Sequence, residues 1–114
     1  ESYLEVTGYQ NNADGKVVNM LNEALKQAVI VVTEKLELTI SGEESIERDI
    51  EINVPEGYKL VGVLGAYATS NTFIVFNAYV RFDNKIHVAI KNTSPDKVGD
   101  EFSVTALLVK STLL

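Results

Sequence analysis

The chain contains no cysteine, which removes disulfides, thiolate metal ligands and thiol nucleophiles together. Its one histidine, His87, has no second imidazole with which to build a zinc centre. No acid or nucleophile stands near it at a spacing that announces a catalytic triad. Basic runs are missing too. With 16 acidic against 10 basic residues and a net charge of −6, the chain repels nucleic acid and anionic lipid, which are held by clustered Lys and Arg. No apolar stretch approaches the roughly 20 residues of a membrane span. There is no signal peptide, and a chain that opens on Glu1 reads as a piece of a longer product. The carboxylates form no motif beyond the generic abundance of an acidic chain. These absences predict a non-enzyme with no metal, no cofactor, no nucleic-acid partner and no membrane insertion.

What remains is apolar enough to fold. A hydrophobic share of 46% with only two prolines argues against disorder, and 114 residues suit one domain with a modest core. Without cysteines, such a domain draws its stability from packing or from assembly with copies of itself.

Periodicity divides the chain in two. Tyr3 to Gly8 alternates as a short strand, and "NNAD" supplies helix N-cap chemistry. From Gly15 to Gln27 the spacing is helical, with Val18, Leu21, Leu25 and Ala28 on one narrow stripe. A helix this short needs a packing partner. The stripe predicts either a helix laid on its own domain or a coiled-coil neck between subunits. Residues 1–30 are therefore expected to form an N-terminal strand and helix, and residues 31–114 a β-domain.

After Val29 the period becomes twofold. "KLELTIS" sets Leu36, Leu38 and Ile40 on one face, and "IERDIEINV" sets Ile50, Ile52 and Val54 inward with Glu47, Asp49, Glu51 and Asn53 outward. That acidic face predicts a solvated surface, since calcium loops gather oxygens around a tight turn and not along a strand. "PEGY" is a turn. "KLVGVLGAYA" is apolar on both faces, which predicts an interior strand with close backbone approach at Gly62 and Gly65; no lysine-serine pair or helix follows to make it a phosphate loop. "NTSPDKVGDE" is the longest polar loop, "NTS" within it matches the glycosylation sequon at Asn92, and "FSVTALLVKSTLL" ends the chain as a strand. The whole predicts a mainly β fold: an antiparallel β-sandwich or jelly roll preceded by one short helix.

"FIVFNAYVRFDNKIHVAIKN", Phe73 to Asn92, is a hairpin. A two-residue loop at Asp83-Asn84 would mix polar and apolar residues on both faces. A three-residue loop, Asp83-Asn84-Lys85, pairs Phe82 with Ile86, Val80 with Val88 and Ala78 with Ile90, and so predicts a clean core face. Asn84 is then the better candidate for the left-handed position. The opposite face becomes a strip of Asn77, Tyr79, Arg81, His87 and Lys91. Three readings of that strip stay open: a solvated face, a surface that stacks and hydrogen-bonds a hydroxyl-rich ligand, and a subunit interface, where Tyr and Arg are enriched.

The order "VPEGYKLVGVLGAYATSN", "VFNAYVRFDNKIHVAIKNTS" and "VTALLVKS" resembles the C-terminal β-domains of distal tail proteins. These are minor structural, baseplate and receptor-binding proteins of phages that infect Gram-positive bacteria. The likeness spans about Ile50 to Lys110. It implies a phage tail or baseplate domain in the virion: a homotrimer that contacts other tail proteins and attaches to host cell-wall saccharide. The helix at Gly15 to Gln27 then fits a neck. The resemblance also makes Pro55, Gly57, Tyr58, Asn92 and Lys110 structural residues. The chain departs from it in having no tryptophan, a residue that saccharide sites in such heads often use. A purely structural trimerising or capping domain without a ligand, or a bacterial surface adhesin domain, is the alternative.

Overall fold

The structure, a computed structural model, describes residues 26–114. The strand Tyr3 to Gly8 and the stripe residues Val18, Leu21 and Leu25 lie outside the described residues. Ala28 is within them, partly exposed at the end of a helical turn over 26–28.

Six strands follow: β1 (Val29–Ile40), β2 (Ser45–Glu51), β3 (Tyr58–Ala68), β4 (Phe73–Arg81), β5 (Lys85–Asn92) and β6 (Val98–Lys110), with a last 3-10 turn at Ser111–Leu113. They make two three-stranded antiparallel sheets, β1-β6-β3 and β2-β5-β4. The fold is the mainly β, sandwich-like architecture that the twofold alternation predicts. The central strands carry the core. Ile86, Val88 and Ile90 of β5 and Phe102, Val104, Ala106 and Leu108 of β6 are completely buried, packed with Leu38, Ile40, Ile50, Ile52, Leu60 and Phe73. At about 25 cal/mol per Å² of apolar surface, this layer is the main stabilising term.

The turns are held by specific groups. Gly57 takes φ +88° in the "PEGY" turn, where Tyr58 N–H donates to the Pro55 carbonyl at 3.1 Å. Tyr58 also donates its hydroxyl to the Gln27 carbonyl at 2.5 Å, tying the start of β3 to the helical turn. Asn92 is fully buried. Its amide donates to the carbonyls of Ile40 and Asp96 at 3.0 and 2.9 Å, and its Oδ1 accepts from Ser94 N–H at 2.9 Å. It therefore pins the β1–β2 turn to the β5–β6 loop, and a side chain so enclosed cannot carry a glycan. Gly42 lies beside it because a Cβ there would collide with the Pro95 carbonyl.

Two readings of the sequence are corrected. β3 is an edge strand and not an interior one. A Cβ at Gly62 or Gly65 would meet nothing within 4 Å, so neither glycine serves close packing. Each sits instead beside a register shift, between Leu60 and Gly62 and between Val63 and Gly65. Glycine in a strand marks either a close approach or a bulge, and here it marks bulges.

The hairpin loop is also displaced. Arg81 pairs with Lys85, Val80 with Ile86, Tyr79 with His87 and Ala78 with Val88, so the three loop residues are Phe82, Asp83 and Asn84. The shift keeps Ala78 and Val80 on the core face because the partner strand moves by two residues, which preserves side-chain direction. It expels Phe82, which is 65% exposed and itself takes the left-handed conformation at φ +64° in place of Asn84. Other hydrogen bonds hold the loop: Ile52 N–H donates to the Asn84 carbonyl at 2.7 Å, and the Asn84 side-chain amide donates to Glu51 Oε2 at 3.2 Å, tying the loop to the end of β2. Further along, a bulge between Val75 and Asn77 turns Val75 inward and leaves Phe76 outside.

Candidate functional site

The outer face of β2-β5-β4 brings three of the five strip residues together: Tyr79 and Arg81 meet around His87. The β2–β5 register sets Asp49 opposite His87, and the β4–β5 register sets Tyr79 opposite it on the other side. The imidazole is therefore flanked by both neighbours and keeps only 7% of its surface exposed. His87 points outward, as the alternation requires, yet it is covered. The covering groups are charged.

His87 Nδ1 lies 2.6 Å from Asp49 Oδ1, and Nε2 lies 2.7 Å from Glu47 Oε1. An ionised carboxylate only accepts hydrogen bonds. Both ring nitrogens must donate, and the arrangement fits an imidazolium. The hydrogen bond to Asp49, with that to Glu47 next, raises the His87 pKa above its ordinary value against the opposing effect of desolvation. Hydrogen bonding to His87 lowers the Asp49 pKa, with further help from the charge of Arg81.

Arg81 Nη1 lies 3.7 Å from Asp49 Oδ1 and 3.3 Å from His87 Nδ1. Arg and His side by side would repel. Here Asp49 stands between them, and Glu47 closes the cluster, so two cations and two anions balance. Tyr79 completes it. Its ring lies 5.2 Å from the imidazole at 41°, within the range of favourable ring pairs, and remains 43% exposed.

Asn77 and Lys91 are both exposed, but they do not lie opposite each other. The bulge sets Asn77 opposite Ala89 and moves Lys91 opposite Ile74. Asn77 stays beside Tyr79 on the same strand, whereas Lys91 stands at the far end of β5. Among the described residues, no group of three or more His, Asp or Glu side chains is arranged to hold a metal ion.

Glu47 and Asp49 are the residues that the sequence reading misses. They look like an ordinary solvated strand face. The signal that identifies them is the register of β2 on β5, a pairing of residues 38 and 40 positions apart. A second polar feature is a hollow of about 380 Å³ lined by Glu34, Glu51, Ile52, Asn53, Val54 and Asn84. Its carboxylates are already used: Glu34 accepts from Asn53 N–H at 3.2 Å and Glu51 from Asn84.

The cluster offers an exposed aromatic ring, a guanidinium held by Asp49 and two carboxylate acceptors on one sheet face. No family model, no curated protein and no solved structure matches the chain.

Proposed function

We propose that this chain is a non-enzymatic attachment module, a phage tail or baseplate β-domain that holds host cell-wall saccharide on the outer face of β2-β5-β4. One observation carries the reading: the exposed ring of Tyr79 stands on a histidine clamped from both sides, next to an Arg81 already oriented by Asp49. Sugar rings present apolar C–H faces that stack on aromatic rings and hydroxyls that both donate and accept. A platform whose polar groups are fixed before binding loses little freedom on binding. The resemblance of Ile50 to Lys110 to distal tail β-domains gives the reading its setting: a virion component, assembled as a homotrimer beside other tail proteins.

The platform is shallow, so each site binds weakly, and attachment depends on several copies acting together. Co-sedimentation with purified Gram-positive cell walls tests it. Wild-type protein is expected to pellet with the walls, whereas Tyr79→Ala and Arg81→Ala stay in the supernatant while remaining folded by far-UV circular dichroism. Walls stripped of their polysaccharide should release the wild type as well. Variants that pellet like the wild type would leave the purely structural reading. That alternative draws on a different observation, the apolar edge formed by β3 and β4.

A further inference from the structure

From Leu60 to Val80 the chain carries no charged side chain. This run is nearly all of β3 and β4, the two edge strands on one side of the sandwich. β1, β2, β5 and β6 each carry two or more charged residues. Elsewhere the net charge of −6 keeps surfaces wet and apart; here nothing does.

The bulges decide what this edge shows. In a bulge two residues oppose one on the partner strand, and the extra residue is turned out of the alternation. The extra residues are Val61 and Leu64 on β3 and Phe76 on β4. Each is apolar and exposed, with Leu64 at 58% and Phe76 at 59%. Leu64, Phe76 and Asn77 line one open groove of about 350 Å³ between the two strands. Tyr67 and Ile74 extend the exposed apolar surface along the same strands. Scattered apolar residues at a surface need no explanation, but a contiguous charge-free set on two adjoining edges is the kind of patch that is often functional.

We propose that the β3–β4 edge is the surface through which copies of this chain pack against one another. A second copy is favoured over another occupant by charge. Two molecules that each carry −6 repel least where neither presents a charge, and this edge is that place. The edge has two apolar sides, Leu64 on β3 and Phe76 on β4, so the Leu64 side of one copy can pack on the Phe76 side of the next, the head-to-tail contact that closes a ring of copies. Its size fits as well. With aromatics worth about 150–250 Å² each when buried, Tyr67 and Phe76 at this exposure offer roughly 200 Å², and Val61, Leu64 and Ile74 about as much again. That is about half of the ~800 Å² that each partner contributes to a standard interface, the share expected of an apolar core inside a polar rim. The packing is by side chains and not by an extended ladder, because bulged edges resist edge-to-edge strand pairing.

The test uses the full chain and leaves Tyr79 untouched, so its outcome is separate from that of the saccharide reading. Light scattering in the micromolar range is expected to give wild-type protein a multiple of the monomer mass. Leu64→Glu/Phe76→Glu should return it to the monomer with the far-UV spectrum intact. Should that variant fail to fold, single cysteines serve instead, since the chain has none of its own. Asn77→Cys is expected to cross-link between copies under mild oxidation, whereas Glu37→Cys, exposed on β1, is not. A wild-type monomer, a folded double variant of unchanged mass, or equal cross-linking at both positions would overturn the proposal.

Discussion

β5 and β3 read alike in sequence and differ in the structure. "KIHVAI" and "KLVGVLGAYA" are both strands rich in Val, Ile, Leu and Ala. From Ile86 to Ile90 every residue of β5 is buried, on the core side by the opposite sheet and on the outer side by β2 and β4. β3 exposes Val61, Leu64 and Tyr67 at an interval of three, because two bulges break its alternation. Apolar content alone therefore does not say where a strand lies in a sheet. What distinguishes the two is the residue between the apolar ones. β5 places His87 where β2 supplies two carboxylates, and β3 places glycines where the backbone can bulge.

The largest expected effect sharpens that contrast. Val88→Asp buries an unpaired charge in the centre of the core and should cost several kcal/mol, enough to unfold a domain of ordinary stability. Leu64→Asp replaces an equally apolar residue at the exposed edge and should change the stability of the isolated monomer by no more than about 0.5 kcal/mol. Urea denaturation of both variants makes the comparison. Equal losses would mean that the β3 bulge residue is packed within its own domain.

Asn92→Ala comes next. Its amide satisfies the Ile40 and Asp96 carbonyls, and its Oδ1 the Ser94 amide. Leaving buried backbone groups unpaired costs about 1–3 kcal/mol each, so a loss in that range or above is expected in the same urea series. An unchanged midpoint would show that water reaches those carbonyls.

The His87 clamp should appear as a pH dependence with a definite sign. A folded-state pKa raised above the ordinary value of about 6.5 gives stability that is fully present below pH 6.5. That contribution is lost as pH rises through the folded-state pKa. Asp49 acts in the opposite sense: its pKa is lowered, so its contribution is present above about pH 3.9 and is lost as pH falls through the folded value. The gap in melting temperature between wild type and His87→Gln should thus be widest between those limits and should narrow on the alkaline side. The chain has a single histidine, so its NMR titration is unambiguous. A midpoint at or below the ordinary value would remove the clamp.

These contrasts also define what the sequence discloses. The faces of the second half of β1 and of β2 follow from alternation, and Leu36, Leu38, Ile40, Ile50 and Ile52 point inward as their spacing predicts. The grouping of Tyr79, Arg81 and His87 on one face was legible for the same reason. The hydrogen-bond partners of His87 were not, because Glu47 and Asp49 meet it only through a non-local register. The bulges were not legible either. A bulge is a property of a pair of strands, and the sequence of one strand shows only that a glycine permits it. One signal lay in plain view: the uncharged run from Leu60 to Val80 is visible without any structure.

The smallest effect tests the hairpin loop. With Phe82 left-handed and exposed, a residue other than Gly, Asn or Asp bears a cost of about 1–2 kcal/mol there. Asn visits that conformation more readily, so Phe82→Asn recovers part of the cost. The same change removes the contact in which the Arg81 guanidinium lies 5.1 Å from the Phe82 ring centre, worth about 0.5–1 kcal/mol at an exposed site. The two terms nearly cancel, and the expected change is within about 1 kcal/mol of zero in either direction. In the alternative register, with the loop at Asp83-Asn84-Lys85, Phe82 would pair with Ile86 in the core. Removing a buried Phe costs about 3–5 kcal/mol. The two registers thus predict effects that differ several-fold for one substitution, and a single urea melt of Phe82→Asn decides between them. Loss of several kcal/mol would return Phe82 to the core and move Arg81 out of register with Lys85.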